Sequence, residues 1–188
     1  GVVMVTAHLG SPALVAQSLA MNGYKVTTPM EPVKSRRTLE LMTRVRGSRG
    51  IRLIPLCHAS THELMEALRR NEIVGMVVDR DLQKTGVRLE FFGRRTTLPA
   101  GPAMLALRTG AMMLPAFTYR QADGRLRGVI GEPMDMERTG NLREDIRVNT
   151  VRMARELEKA ISSHPQQWVV FQPIWPEETG DGERGVAP

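Results

Sequence analysis

Two ionisable side chains stand just after apolar runs in this sequence. His8 follows Val2-Val3-Met4-Val5-Thr6, and Asp79 follows the run from Ile73 to Val78. Runs of this kind read as strands buried on both faces. In open α/β sheets, ligands gather beyond the carboxyl ends of such strands. A neutral imidazole placed there can take a proton from a hydroxyl, and a carboxylate beside it can orient the ring and stabilise the imidazolium. The same positions also suit a histidine bonded to a backbone carbonyl and an aspartate capping the next turn, so both readings stay open at this point.

Other reactive residues fit their chemistries less well. Cys57 and His58 are sequence neighbours, whereas a nucleophile and its base normally meet from separate elements, and no glycine-rich elbow frames the thiol. His58 and His62 are four apart with Glu63 next to them, which is helical metal-ligand spacing. However, Ser60-Thr61-His62-Glu63 reads as a capping box that starts a helix at Ser60 and leaves His58 outside it. No metal is expected. Ser11 lies in Gly10-Ser11-Pro12, where a proline suits the first helical position better than a nucleophile elbow.

The elements that must position His8 and Asp79 follow from periodicity. Val2 to Thr6 predicts a strand, and Ser11-Pro12 opens a helix whose stripe is Leu14-Val15-Ala16 and Leu19-Ala20, ending at Asn22-Gly23. Lys25 to Thr28 predicts a second strand, followed by a turn over Pro29 to Pro32. A basic helix is expected from about Ser35 to Arg46, then a strand from Arg52 to Leu56, a helix from Ser60 to Asn71 and a strand from Ile73 to Val78. Asp79 to Pro99 reads as a long charged loop around Phe91-Phe92-Gly93, and connections of that length tend to carry function. A helix from about Gly101 to Thr109, strands over Met112 to Tyr119 and Leu126 to Gly131 joined at Asp123-Gly124, and a long helix from Asn141 to Ser163 complete the pattern. Alternating strands and helices predict an α/β fold with a mainly parallel central sheet flanked by helices, in a single domain.

Composition narrows the classes of function. The chain has 188 residues, 41% hydrophobic and 24% charged, which is enough for one domain with a core and excludes a disordered or collagen-like polymer. One cysteine excludes an internal disulfide and suits a reducing compartment. No apolar run approaches the roughly 18 to 20 residues that span a bilayer, and Gly1 leads straight into a strand with no signal-peptide pattern, as in a piece of a longer protein. The net charge of +6 comes from 22 arginines and 4 lysines against 20 acids. That charge suits phosphates, anionic membrane surfaces or nucleic acid. Only 4% aromatics, with no zinc-finger or aromatic RNP signature, argue against nucleic acid.

Five spaced motifs then occur in order: Thr6-Ala7-His8-Leu9-Gly10, Val78-Asp79-Arg80-Asp81, Val87 to Gly93, Pro99-Ala100-Gly101-Pro102-Ala103, and His164-Pro165-Gln166-Gln167-Trp168. Together they resemble the bacterial lipid A late acyltransferase superfamily. The Asp-Arg-Asp-Leu form is most similar to its phosphatidylinositol mannoside acyltransferase branch. The resemblance covers about Val3 to Trp175. It implies a glycerolipid acyltransferase-like fold, with a catalytic domain over 1–176 and a flexible tail over 177–188. It also implies an enzyme that moves a fatty acyl group from acyl-CoA or acyl carrier protein to a sugar hydroxyl of a membrane glycolipid, with no cofactor. The site would face the cytoplasmic side of the cell membrane, with a membrane-binding segment upstream of Gly1.

Carried onto this chain, the resemblance makes His8 the base for the acceptor hydroxyl and Asp79 its partner. Glu31 and Arg46 match residues flanking the site, with Arg46 a phosphate or substrate contact. The family pattern also places an acid five residues after the histidine, where this sequence has Ala13. A catalytically weakened lipid-binding relative and a thioester hydrolase are therefore the competing readings. A thioester is already activated, so a base, an oxyanion donor and alignment suffice. The amides of Gly10 and Ser11, at the start of the helix after His8, are expected as oxyanion donors. Arg80, Arg94 and Arg95 are expected near the mouth, and Phe91 and Phe92 near the acyl path.

Overall fold

The parallel strands are the short apolar runs, and their neighbours in space are not their neighbours in sequence. In the computed structural model, which describes residues 1–31, 35, 37, 40, 41, 44, 50–57 and 59–175, these strands are β1 (Val2–Thr6), β2 (Val26–Met30), β3 (Ile51–Pro55), β4 (Ile73–Val77) and β7 (Met112–Arg120). β8 (Leu126–Ile130) closes the sheet, in the order β3-β2-β4-β1-β7-β8. Only the β7–β8 pair is antiparallel, as the Asp123-Gly124 hairpin predicts. α1 (Pro12–Met21) covers one face of the sheet. α2 (Ser60–Arg69), α3 (Gly101–Thr109) and α4 (Leu142–Ser163) pack on the other, and a short 3-10 turn (Pro165–Gln167) follows α4. The expected α/β architecture is the one found.

Strand alternation assigns each side chain to a face. Val3, Val5, Ala7 and Leu9 point into the main core with Leu64, Leu68, Leu105 and, from α4, Met153, Leu157 and Ile161. The α4 trio is spaced i, i+4, i+8 and lies along one stripe of the helix, each residue contributing about 1.5–3 kcal/mol by burial. Met4 points the other way, with Val26, Ile51, Ile73 and Ala116, toward Val15, Ala16 and Leu19 of α1. That second layer is thin, because no residue of α1 is buried.

Several local expectations are corrected. The stretch from 79 to 99 holds a hairpin, β5 (Val87–Phe91) with β6 (Arg94–Leu98), rather than one long loop. Its turn places Phe92 at φ 53° and Gly93 at φ 72°. A phenylalanine in left-handed conformation carries no turn signature, which is why the hairpin was hidden. β2 continues through Pro29 to Met30, where a turn was expected. It pairs with β3 along its whole length but with β4 only at Val26 and Thr27. Pro29 has no N–H to give a ladder, and beside it β2 and β4 part. Ser60 makes no capping box: its hydroxyl donates to the Cys57 carbonyl, and Glu63 pairs with Arg52 at 2.5 Å. Of the helix expected over 35–46, positions 37, 40, 41 and 44 are described and helical. Arg46, His58 and the expected tail over 177–188 lie outside the described residues. Among the described residues no helix is long and apolar enough to cross a membrane.

Candidate active site

β1 and β4 run parallel in the register Thr6↔Val77, so the residues two beyond each, His8 and Asp79, leave the sheet side by side. Pairing persists to that point, with the Val78 amide donating to the Thr6 carbonyl at 2.9 Å. By alternation His8 continues the Met4-Thr6 face toward α1, while Asp79, past the end of β4, lies between the His8 ring and Trp168, whose ring packs against the main core. The Asp79 Oδ1 lies 2.8 Å from His8 Nδ1. Its Oδ2 accepts from the His8 backbone N–H at 2.9 Å and from Trp168 Nε1 at 2.8 Å.

Asp79 is fully buried, while the His8 side chain is 38% exposed. Burial is the largest influence on Asp79 and pushes its carboxyl up. The hydrogen bond and charge of the His8 ring, the Trp168 N–H and the His8 amide together outweigh it and hold the group below its ordinary value. An ionised Asp79 accepts only, so the proton between them belongs to Nδ1, and when the imidazole is neutral Nε2 is the nitrogen that keeps a lone pair.

Two cavities meet at His8. One, of about 160 Å³, lies between α1 and the sheet and is walled by apolar side chains, with Ala13 and Val15 from the helix and Met4 and Leu53 from the floor. The other, of about 630 Å³, opens where β2 and β4 part and is more polar, with Glu31, Arg80, Asp81 and Gln83 in its wall. His8, Thr28, Pro29, Met30, Met76 and Val77 line both. Arg80 spans the polar cavity's rim, donating to Glu31 Oε2 at 2.8 Å and to Gln172 Oε1 at 2.5 Å. The structure thus brings Glu31 and Arg80 to the same cavity as His8.

Other expected site residues lie elsewhere. The Gly10 amide donates to the Gln167 carbonyl at 3.0 Å and the Ser11 amide to Thr118 Oγ1 at 3.0 Å. Neither donor is available to an oxyanion, and neither residue lines a cavity named here. What Gly10 does is structural: it holds φ 61°, and a Cβ would meet the Thr118 carbonyl oxygen at 2.3 Å. Phe91 is fully buried, and its ring lies 4.8 Å from that of Phe92 and 6.2 Å from that of Trp168. Both phenylalanines belong to a cluster with Trp168 and Trp175, behind Asp79 and away from the two cavities. Arg94 and Arg95 are on β6, with the Arg94 guanidinium over the Trp175 ring at 5.7 Å, and neither lines the polar cavity. Among the described residues no three His, Cys, Asp or Glu side chains converge as a metal site.

Sequence reasoning quoted Trp168 only within a motif and missed its bond to Asp79. Gln172 was missed altogether. Neither contact leaves a local signal, since 89 residues separate Trp168 from Asp79 and 92 separate Gln172 from Arg80.

The chain is 31% identical over 187 residues to the phosphatidylinositol mannoside acyltransferase of Mycobacterium tuberculosis (strain ATCC 25618 / H37Rv), covering 98% of this chain and 57% of that protein. It is 29% identical to the protein of the same name from Mycolicibacterium smegmatis, over 98% of this chain and 60% of the relative. The chain therefore spans less than two thirds of the length of these relatives. The family model described as bacterial lipid A biosynthesis acyltransferase matches residues 1–177, within which the His8–Asp79 pair and both cavities lie, and the chain belongs to that family.

Proposed function

We propose that this chain transfers a long-chain acyl group from a thioester, acyl-CoA or acyl carrier protein, to a sugar hydroxyl of a membrane glycolipid. Phosphatidylinositol mannoside is the first acceptor to test, because the relatives are named for it. The observation that carries this reading is the position of His8, held by Asp79 at 2.8 Å and lining both an apolar and a polar cavity. The apolar cavity suits the carbons of the acyl chain next to the thioester and the polar one suits the sugar.

In this reading the free Nε2 of His8 takes the proton of the acceptor hydroxyl as its oxygen attacks the thioester carbonyl carbon. The carbonyl electrons move onto oxygen and return as the carbon–sulfur bond breaks. The thiolate leaves with the proton carried by the imidazolium, and the ester remains. Asp79 stabilises the charged ring between these steps. No metal, resident cofactor or covalent acyl-enzyme enters. Arg80 at the rim meets phosphates of the donor or acceptor. The protein works at the cytoplasmic face of the membrane, where both thioester donors are found.

Mass spectrometry of phosphatidylinositol mannoside incubated with palmitoyl-CoA and the protein tests the proposal. Acylated glycolipid supports transfer. Free acid and CoA released at full rate without acceptor would make the protein a hydrolase. Ala13 in place of the expected acid favours a second reading, a weakened lipid-binding relative, and neither product would leave that one standing.

A further inference from the structure

We propose that Trp168 is a positioning residue that holds the Asp79 carboxylate in the orientation that fixes the His8 tautomer. This rests on the acyl-transfer reading only in what the tautomer is for. The terminal torsion of an aspartate is broad and roughly two-fold, so its plane is set by what its oxygens bond, and a partner outside His8 is needed to orient it independently of the ring it must orient. Here Oδ1 faces His8 Nδ1, and Oδ2 takes the His8 amide and the Trp168 indole. An indole nitrogen only donates. It therefore favours the ionised carboxylate, and an ionised carboxylate requires the proton on Nδ1.

The indole can do this because it is itself immobilised from several sides. Trp168 forms an antiparallel bridge with Leu9, and the next residue, Val169, donates its amide to the His8 carbonyl at 2.9 Å. The preceding Gln167 receives the Gly10 amide and ties its own side chain to Arg120 through both the backbone N–H and carbonyl. The ring packs 5.7 Å from Phe92 and 6.2 Å from Trp175. The aromatic cluster and the strand of chain after α4 thus serve as the rigid backing of the His8–Asp79 pair, as outer partners do for metal-bound histidines.

Trp168→Phe keeps most of the ring packing and removes the N–H. Replacing Trp168 with β-(3-benzothienyl)alanine, in which sulfur stands where the N–H was, is closer still in shape and serves if the phenylalanine variant fails to fold. Two readouts apply to each protein: the ¹⁵N NMR shifts of the His8 ring, and kcat and KM for palmitoyl transfer to phosphatidylinositol mannoside. In the unaltered protein His8 is expected as the Nδ1–H tautomer with a slowly exchanging proton. In the variants a mixture of tautomers and faster exchange of the Nδ1 proton are expected. With them, kcat falls by about ten- to a hundredfold at little-changed KM, the equivalent of one hydrogen bond to a charged group. Retention of the Nδ1–H tautomer at its original population and exchange rate in a folded variant overturns the proposal, whatever the turnover. Absence of transfer by the unaltered protein defeats the acyltransferase reading instead, and the NMR comparison still decides the role of Trp168.

Discussion

Asp79 grips His8 twice, through the ring at Nδ1 and through the backbone amide, using one carboxylate oxygen for each. The same buried group therefore fixes both the position of the His8 main chain and the direction of its imidazole. Ala13, in the first turn of α1, lines the apolar cavity, and the Nδ1 contact that an acid there would seek is already made by Asp79.

His8→Ala is expected to lower acyl transfer by about 10² to 10⁴ with the fold kept but the thermal melt lowered, because the fully buried Asp79 loses the ring's hydrogen bond. The His8 side chain is more than a third exposed and contributes little to core packing. A folded variant with most of its turnover would show that His8 is not the base.

Asp79→Asn should be nearly as damaging to turnover, because an amide nitrogen would face Nδ1–H or the indole N–H, both of them donors. It also has a signature in pH. The Asp79 carboxyl is held below its unfolded value, so its stabilising contribution is complete above the ordinary carboxylate pKa of about 4 and is lost as pH falls through the lower folded value. Urea unfolding from pH 6 down to the acid limit should show the difference between the parent and Asp79→Asn shrinking below about pH 4. A constant difference across that range would contradict the linkage.

Ala13→Glu is expected to leave kcat within an order of magnitude of the parent and to raise KM for the acyl donor, since it sets a charge in an apolar wall. A gain of tenfold or more in kcat, about 1.4 kcal/mol of transition-state stabilisation, would mean that Asp79 is not the working partner.

Gly10→Ala should destabilise the fold by about 1–3 kcal/mol from backbone strain alone, with the clash against the Thr118 carbonyl adding to it. The shift in urea midpoint measures this. Because Gly10 closes the turn that carries His8, turnover should fall with stability, and Gly124→Ala, at φ 82° in open space, gives the control for strain without the clash.

The strands and the faces of their side chains were legible in the sequence. Alternation is a local property with period two, and continuous runs such as Val2 to Thr6 and Ile73 to Val78 admit few other structures. The two positions worth testing, His8 and Asp79, followed from that pattern. What it could not say was that β4 lies next to β1, in the register that sets these two residues 2.8 Å apart although 71 residues separate them. Strand order and register come from packing α2, α3 and α4 against one face of the whole sheet, which no local window contains. The same distance in sequence explains the misplaced expectations. The start of α1 correctly signalled free amides, but the acceptors that consume them, on Thr118 and Gln167, arrive from far along the chain. Phe91 and Phe92 were rightly singled out as aromatic, but only the tertiary packing of Trp168 and Trp175 decided that they back the carboxylate rather than line a cavity. Hydrogen-bond donors and apolar surface are properties of residue types; their partners are set by the burial of the whole chain.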